Sequence, residues 1–272
     1  MGERLYMIDA VTSYHNHTTW SDGVCAIQDQ IDEARRLGLA ELGISDHFVL
    51  SPLLDPVEWS MPVDKLKVYL EELRDAQSAN PDVVLRLGVE ADYFPETIDR
   101  LRDILTGAQL DFVVGSVHYV DGFPIDESGK LWDKLTEDEV NEMWRKYWIG
   151  IREMAESRVF DFAAHLDLPK KFGHRPTADL TEYSDAALDA IASADMAIEI
   201  NTNGLNLPAR ELYPSQSILQ AARQRDIPLL INSDAHIPTR LTEHFAAAAK
   251  WAEQAGYSKL VWYKNRKRYK SS

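Results

Sequence analysis

Short apolar runs alternate along this chain with longer segments whose apolar residues recur three or four positions apart. The short runs have the length of buried β-strands, and the longer segments have the period of helices packed on a sheet. Strict alternation of strand and helix predicts a parallel sheet with right-handed crossovers. The apolar runs occupy residues 7–11, 42–44, 83–89, 112–117, 159–164, 196–201 and 228–233, and 259–263 predicts a short terminal strand.

The helical segments show start and stop signals. The apolar stripe from Ile27 to Leu37 ends at a glycine, and a second stripe begins at Leu66, shortly after a proline. The two longest loops, 48–63 and 119–135, follow predicted strands and are expected to form lids or substrate walls. Further helices are predicted at 96–106, 136–156, 183–194, 215–225 and 239–255.

Metal-binding residue types follow the predicted strands. In a barrel of alternating strands and helices, the C-terminal strand ends converge on one face, where such enzymes keep their chemistry. An open sheet gathers its site at one switch point and explains ligand-type residues at nearly every strand end less well. We therefore expect a closed barrel in which nine strand-end side chains share a pocket. They are His15, His17, Asp46, His47, Glu90, His118, His165, Asp234 and His236.

Size and charge limit the classes of protein that the chain can represent. With 272 residues and 45% hydrophobic content, it can bury a large core, and we expect a single domain over residues 1–272. The formal charge of −15 argues against a nucleic-acid partner. The one basic cluster, 264–270, is interpreted as a solvated tail rather than a binding patch.

The single cysteine, Cys25, excludes an internal disulfide and fits a reducing compartment. We interpret Cys25 as a small, buried apolar residue. The alternative is that its thiol acts as a nucleophile. No apolar stretch predicts a signal peptide or a membrane span, so we expect a cytoplasmic protein without a membrane partner. No heptad pattern is present, and the sequence specifies no oligomeric state.

The histidine pair at the first strand end carries the clearest chemistry. His15 and His17 lie two positions apart, so both point to one face of a strand and can bind one ion. Neutral imidazole suits Zn²⁺, Fe²⁺ or Mn²⁺. The alternative is that each buried histidine is satisfied separately by backbone hydrogen bonds.

These motifs resemble those of the PHP (polymerase and histidinol phosphatase) metallohydrolases over nearly the whole chain. That family has an early His-X-His, an Asp-His after strand two, a histidine after strand four and a late Asp-X-His. The counterparts here are His15-Asn16-His17, Ser45-Asp46-His47, Gly115-Ser116-Val117-His118 and Ser233-Asp234-Ala235-His236. Residues 115–122, 165–168, 201–205 and 213–215 are similar to the histidinol-phosphate phosphatase branch.

The resemblance implies a distorted seven-stranded (β/α)7 TIM-like barrel with three divalent ions, Zn, Fe or Mn, at the C-terminal strand ends. It gives catalytic roles to Glu90, Asp234 and His236. Asp46 lies next to His47 and is expected to orient an imidazole rather than bind an ion, because ligating histidines usually donate their other N–H to a carboxylate. The three ligand sets that the resemblance implies are His15, His17, Glu90 and Asp234; Glu90, His118 and His165; and Asp22, His47 and His236.

The resemblance also implies a phosphomonoesterase that uses a metal-bridging hydroxide on a small phosphorylated substrate. Basic residues beyond the strand ends are expected to bind the phosphate. In many histidinol-phosphate phosphatases a basic residue directly follows the Gly-Leu of the strand-six loop, whereas this chain has Asn206 there and Arg210 four residues later. The substrate is therefore less constrained than the metal site. The candidates for phosphate contact are Lys170, Lys171, Arg210 and Arg240.

The leading hypothesis is hydrolysis of L-histidinol phosphate to L-histidinol and phosphate in histidine biosynthesis. A phosphoesterase that acts on another ester, such as a sugar, a nucleotide or an oligonucleotide 3′ end, is the second hypothesis. A non-catalytic metal-binding module is the third. The acidic charge disfavours the oligonucleotide substrate, and the complete ligand set disfavours the non-catalytic module.

Overall fold

The computed structural model describes residues 11–53 and 57–270, and its main feature is a nearly closed barrel of seven parallel strands. The barrel strands follow the order β1-β2-β4-β5-β8-β9-β10, and β3 pairs with β4 beside them. The strands are β1 (Thr12–Ser13), β2 (Glu41–Ile44), β3 (His47–Phe48), β4 (Leu85–Asp92), β5 (Phe112–Ser116), β6 (Tyr119–Val120), β7 (Phe123–Pro124), β8 (Phe162–Ala163), β9 (Ala197–Asn201), β10 (Leu229–Asn232), β11 (Val261–Lys264) and β12 (Lys267–Lys270).

The barrel closes between its first and last strands just beyond their C-terminal ends. Asn16 and Ala235 form a parallel bridge there, and the His17 N–H donates to the Ala235 carbonyl at 2.9 Å. The segment after β1 is thereby joined to the segment after β10. This closure brings the ligand-type residues of the two ends of the chain side by side.

Helices cover the outside of the barrel, as the apolar periodicity predicts. Gly38 ends α1 with a left-handed φ of 67°, and Thr136 and Glu139 form a capping box at the start of α5. No helix in the described ranges is long and apolar enough to span a membrane. The helices are α1 (Ile27–Leu37), α2 (Leu66–Ala79), α3 (Ile98–Thr106), α4 (Gly129–Trp132), α5 (Glu137–Glu156), α6 (Thr181–Ser193), α7 (Gln216–Gln224) and α8 (Phe245–Gln254).

The basic C-terminal segment is an ordered hairpin, and the prediction of a solvated tail is wrong. Strands β11 and β12 pair antiparallel, and the Arg266 side chain donates to the Val159 carbonyl at 2.6 Å. Arg268 pairs with Asp195 at 2.7 Å. The hairpin contacts the N-terminal end of the barrel, where its arginines meet carbonyl and carboxylate oxygens.

The predicted seven-stranded parallel barrel is confirmed, and the differences lie at element ends. The predicted strand at 7–11 lies outside the described residues except for Val11, and β1 is seen at Thr12–Ser13. Strand β4 continues past Val89 to Asp92, so Glu90 lies within the strand rather than after it. The predicted loop at 119–135 contains the β6–β7 hairpin and α4.

Candidate metal centre

Glu90 lies at the middle of the C-terminal face of the barrel, where imidazoles from three other strand ends surround it. Its Oε2 is 3.0 Å from His15 Nε2 and 2.8 Å from His47 Nδ1, and its Oε1 is 3.2 Å from His165 Nε2. The side chain of Glu90 is fully buried. Because His47 and Glu90 are register partners in β3 and β4, sheet pairing itself fixes part of this geometry.

Asp234 is the second carboxylate that contacts the histidine pair. Its Oδ1 is 3.1 Å from His17 Nε2 and 3.6 Å from His15 Nε2. Asp234 follows β10 with a left-handed φ of 54°, a conformation that aspartate tolerates better than most residues. Glu90 and Asp234 therefore each lie within 3.6 Å of the Nε2 atoms of both histidines of the first motif.

A second group of side chains extends the site toward solvent. Asp22 Oδ1 is 3.2 Å from His236 Nε2 and 3.6 Å from His47 Nε2. The His17 ring stacks on the rings of His47 and His236, with centroids 4.3 Å apart in both pairs. Four potential ligands thus surround one point at the edge of the pocket.

The structure brings together the nine residues of the three predicted ligand sets, which we call the nine-residue cluster: His15, His17, Asp22, His47, Glu90, His118, His165, Asp234 and His236. Within it, four sets of side chains each place one donor atom per residue within 4.8 Å of the others. They overlap rather than separating into three closed cages. The sets are His17, Asp22, His47 and His236; His15, His165 and Asp234; His15, His17 and Glu90; and His47, Glu90 and His118.

Several polar atoms of this cluster are buried and lie close to one another, yet the contacts among them lack hydrogen-bond geometry, which is the observation that tests whether metal ions fit. They include His15 Nε2, both ring nitrogens of His17, His47 Nδ1 and Glu90 Oε2. Leaving such atoms unpaired costs about 1–3 kcal/mol each. Nitrogen and carboxylate oxygen donors suit Zn²⁺, Fe²⁺ or Mn²⁺, so the residues present can hold divalent ions that would satisfy these atoms.

Two carboxylates that sequence reasoning missed hold the imidazoles in place. Glu199 in β9 contacts His15 Nδ1 through both oxygens at 3.1 Å, and Asp92 in β4 contacts His118 Nδ1 at 2.7 Å. With Nδ1 as the donor, Nε2 of each ring is left free to bind an ion. A signal was available in the sequence, because Glu199 interrupts an apolar strand and Asp92 shares a strand face with Glu90.

Asp46 does not orient an imidazole, and that expectation is wrong. Its Oδ1 accepts hydrogen bonds from the Thr18 N–H and the Ser21 hydroxyl, both at 2.7 Å, and its Oδ2 accepts from the Thr18 hydroxyl at 2.8 Å. The carboxylate is fully buried. It fixes the loop that carries Asp22 toward the cluster, and it acts on the site through that loop.

The opposed charges of the cluster shift the pKa values of its members in both directions. Burial and the nearby His47 and His236 rings lower the pKa of His17 to about 3. Burial disfavours the charged form of His118, but Asp92 and Asp126 outweigh it and raise its pKa to about 10. Burial also opposes the charge on Glu90, yet His15 and His47 hold its pKa well below the usual value.

The two lysines after His165 have different environments. Lys170 is fully buried, and its Nζ lies 2.9 Å from Asp167, 2.8 Å from the Leu212 carbonyl and 3.2 Å from Glu211. These partners occupy its donors, which argues against contact with a phosphate. Lys171 is partly exposed and pairs with Asp126 at 3.3 Å.

The two arginine candidates lie further out. Arg210 is exposed and donates to the Leu205 carbonyl at 3.2 Å, and the exposed Arg240 lies 3.5 Å from Glu243. Neither is hydrogen-bonded or ion-paired to the nine-residue cluster within the described part of the chain. Asn206 donates to Glu243 at 2.7 Å and accepts from His244 at 3.0 Å.

Cys25 is buried next to the His17 segment, as predicted. Burial and the nearby Asp29 raise the pKa of its thiol to about 11. A thiol with that pKa is protonated at neutral pH, so it is a poor nucleophile.

A family model described as the PHP domain matches residues 13–203, which is most of the chain. The chain belongs to the PHP family. Among PHP relatives, a protein of Deinococcus radiodurans described as a probable histidinol-phosphatase is 34% identical over 85% of this chain and 87% of its own length. One of Schizosaccharomyces pombe with the same description is 24% identical over 86% of this chain and 82% of its own length.

A solved structure of similar fold supports the architecture of this PHP chain. It is the histidinol phosphate phosphatase of Lactococcus lactis, complexed with zinc, L-histidinol and phosphate. The TM-score is 0.81 at 21% sequence identity, and the match covers 96% of this chain and 99% of the other. At that identity the likeness establishes the fold.

Proposed function

We propose that this PHP protein is a metal-dependent phosphomonoesterase that hydrolyses L-histidinol phosphate to L-histidinol and inorganic phosphate. The observation that carries the proposal is the nine-residue cluster with its buried, unpaired nitrogen and oxygen atoms. The description of the Deinococcus radiodurans relative, which is 34% identical, supports the substrate. The acidic charge of −15 remains unfavourable for an oligonucleotide substrate.

The nine-residue cluster would hold about three divalent ions. We keep the three ligand sets of the sequence analysis as the proposed assignment, with Glu90 shared between two ions. Bound there, divalent ions lower the pKa of water and neutralise the charge that develops on phosphoryl oxygens. Glu199 and Asp92 hold His15 and His118 so that their Nε2 atoms face the ions.

The members of the nine-residue cluster differ in how far their side chains are exposed to solvent. The side chains of His15, His17 and Glu90 are fully buried, whereas those of Asp234 and His236 are 13% and 31% exposed. Substrate would therefore approach from the side of Asp234 and His236. We assign both residues catalytic roles at this opening, with the Asp234 carboxylate exchanging protons with the attacking water and the departing alcohol, and we assign Glu90 the role of a fixed central carboxylate.

Lys171 is the basic residue that we propose as a phosphate contact. Its side chain is partly exposed, and Lys171 lies in the segment that follows His165. A lysine is a point charge that suits a phosphate oxygen. We do not include Lys170, whose buried position and three partners give it a structural role.

We also propose that residues 1–272 form one PHP-type domain and that the protein acts in the cytoplasm, in histidine biosynthesis. The single buried cysteine is compatible with a reducing compartment.

The test is an assay of metal-reconstituted protein against L-histidinol phosphate and a panel of sugar, nucleotide and aryl phosphates. We expect kcat/KM for L-histidinol phosphate to exceed that for the other monoesters by at least about tenfold, as expected when buried polar groups match one substrate. If the protein prefers another monoester by orders of magnitude, the proposed substrate is wrong and the proposed phosphomonoesterase activity stands. A metal-loaded protein that is inert toward every ester would contradict the proposal.

A further inference from the structure

An ion pair at the mouth of the pocket has no role in the proposed metal site. Lys171 Nζ lies 3.3 Å from Asp126 Oδ2, and the two side chains are 21% and 29% exposed. They are neither fully solvated nor closed off by protein. A pair in this position can exchange its partners for charged groups of a ligand.

The backbone places Asp126 beside the cluster. The N–H of Ile125 donates to the carbonyl of His118 at 2.9 Å, so the residue after Ile125 lies next to a proposed metal ligand. Asp126 therefore lies between the segment of His118 and the side chain of Lys171, which leaves the loop that follows His165.

An aromatic wall lies on the same side of the pocket. The rings of Trp59 and Tyr119 stack at an interplanar angle of 12° with centroids 6.3 Å apart. Trp59 meets the rings of His47 and His118 edge-on at 4.7 Å and 5.5 Å. Half-buried aromatic faces attract flat rings and cations. A carboxylate and two aromatic rings thus line one approach to the cluster.

We propose that Asp126 is a specificity-determining residue that binds an ammonium group of the substrate, so that the site selects phosphate monoesters carrying an amine. This inference rests on the proposed function and deepens it. With the phosphate at the cluster and near Lys171, a zwitterionic ester presents an anion to the lysine and a cation to the aspartate. An ester without an amine satisfies only one member of the pair.

The test compares two esters that differ only in the amine. One is L-histidinol phosphate, and the other is 3-(imidazol-4-yl)propyl phosphate. The variant Asp126→Asn keeps the shape of the side chain and removes its charge. Glu127→Gln is the matched control, because Glu127 is the next residue, is exposed and loses the same charge.

We expect Asp126→Asn to lower kcat/KM for L-histidinol phosphate by about 10- to 100-fold, the value of a hydrogen bond to a charged group. The amine-free ester should change by less than about threefold, and Glu127→Gln should change neither rate by more than that. Calorimetric titration of metal-loaded protein with L-histidinol and with its amine-free alcohol gives a second readout. Asp126→Asn should weaken the binding of L-histidinol alone.

Three results would overturn the amine contact. They are an equal loss of kcat/KM on both esters in Asp126→Asn, equal affinity of the wild-type protein for the two alcohols, and an effect of Glu127→Gln as large as that of Asp126→Asn. Each of these results leaves the phosphatase proposal intact. Wild-type protein that hydrolyses neither ester overturns the proposed function instead, and the alcohol titration then still decides whether Asp126 recognises the amine.

Discussion

The two ends of the barrel both bury ionisable side chains, but they treat them differently. At the N-terminal end, Arg86 forms a bidentate pair with Glu41 at 2.7 and 2.8 Å, and the Tyr14 hydroxyl donates to the same carboxylate. Asp111 accepts hydrogen bonds from the backbone N–H groups of Leu87 and Asn265. At the C-terminal end, by contrast, atoms of His15, His17, His47 and Glu90 have no hydrogen-bond partner.

The difference distinguishes buried polar groups that support the fold from buried polar groups that bind a ligand. A buried charge that is matched in place stabilises the fold or is neutral to it, and removing one partner is costly. Burying polar atoms without hydrogen bonds costs folding free energy. Such a cluster is expected where a bound ligand supplies the missing partners. The N-terminal network is therefore expected to govern stability, and the nine-residue cluster is expected to govern turnover.

The largest expected effect is on turnover. Replacing His17 or Asp234 by alanine should lower kcat by roughly 10³-fold or more, because each removes a proposed metal ligand. The fold should persist, since the variants remove buried atoms from a site outside the apolar core. Steady-state assays at saturating metal and circular dichroism check the two parts. Global unfolding of either variant would break the separation between the two barrel ends.

The converse effect is expected at the N-terminal end. Arg86→Met removes a buried cation from the partly buried Glu41 and should lower the free energy of unfolding by about 3 kcal/mol, with kcat unchanged in the folded protein. Urea denaturation measures the loss. Arg36→Met removes an exposed arginine from its pair with Glu33 and should cost less than about 1 kcal/mol, because the charge of Arg36 is solvated. A matching loss in both variants would contradict the assignment.

A smaller effect is expected from the carboxylates behind the imidazoles. Glu199→Gln should weaken metal affinity by about 10- to 100-fold, because His15 loses the acceptor that fixes its ring. Activity should recover at high metal concentration. The change in metal affinity is measured by titrating the protein with metal and recording activity at each concentration. Glu182→Gln, at an exposed position, is the control. Unchanged affinity would remove Glu199 from the metal site.

The smallest expected effect separates the two neighbouring lysines. Lys171→Met should raise KM by about tenfold with little change in the unfolding midpoint, since it removes one charged contact to phosphate. Lys170→Met should instead lower stability, because it leaves Asp167 buried without its cation. Kinetics and thermal melting of both variants test this. A reversal of the two outcomes would contradict the assignment.

The sequence predicts the barrel well because strand and helix periods are local properties. It also predicts which strand ends carry ligand-type residues, since every member of the cluster except Asp22 follows or ends an apolar run; Asp22 comes only from the family resemblance. The pairing of His15 with Glu199 joins residues far apart in the chain, and only the closed barrel brings them together. Such partners leave at most an acidic residue inside an apolar strand as their sequence signal.

The opposite environments of Lys170 and Lys171 could not be predicted from sequence. Both residues lie in one short 3₁₀ helix, Leu168–Phe172, whose neighbouring positions point in different directions. One ammonium group enters a buried pocket of acceptors and the other reaches the mouth of the site. The same holds for Asp46, which lies next to His47 in sequence but bonds to the Thr18 and Ser21 loop.

The central claim is that the unmatched atoms at the C-terminal end hold divalent ions. Elemental analysis of protein purified without chelators and equilibrated with micromolar Zn²⁺ or Mn²⁺ tests it most directly. The account predicts about three ions per folded chain and a clear reduction in both His17→Ala and Asp234→Ala. Folded wild-type protein that takes up no divalent ion would contradict it.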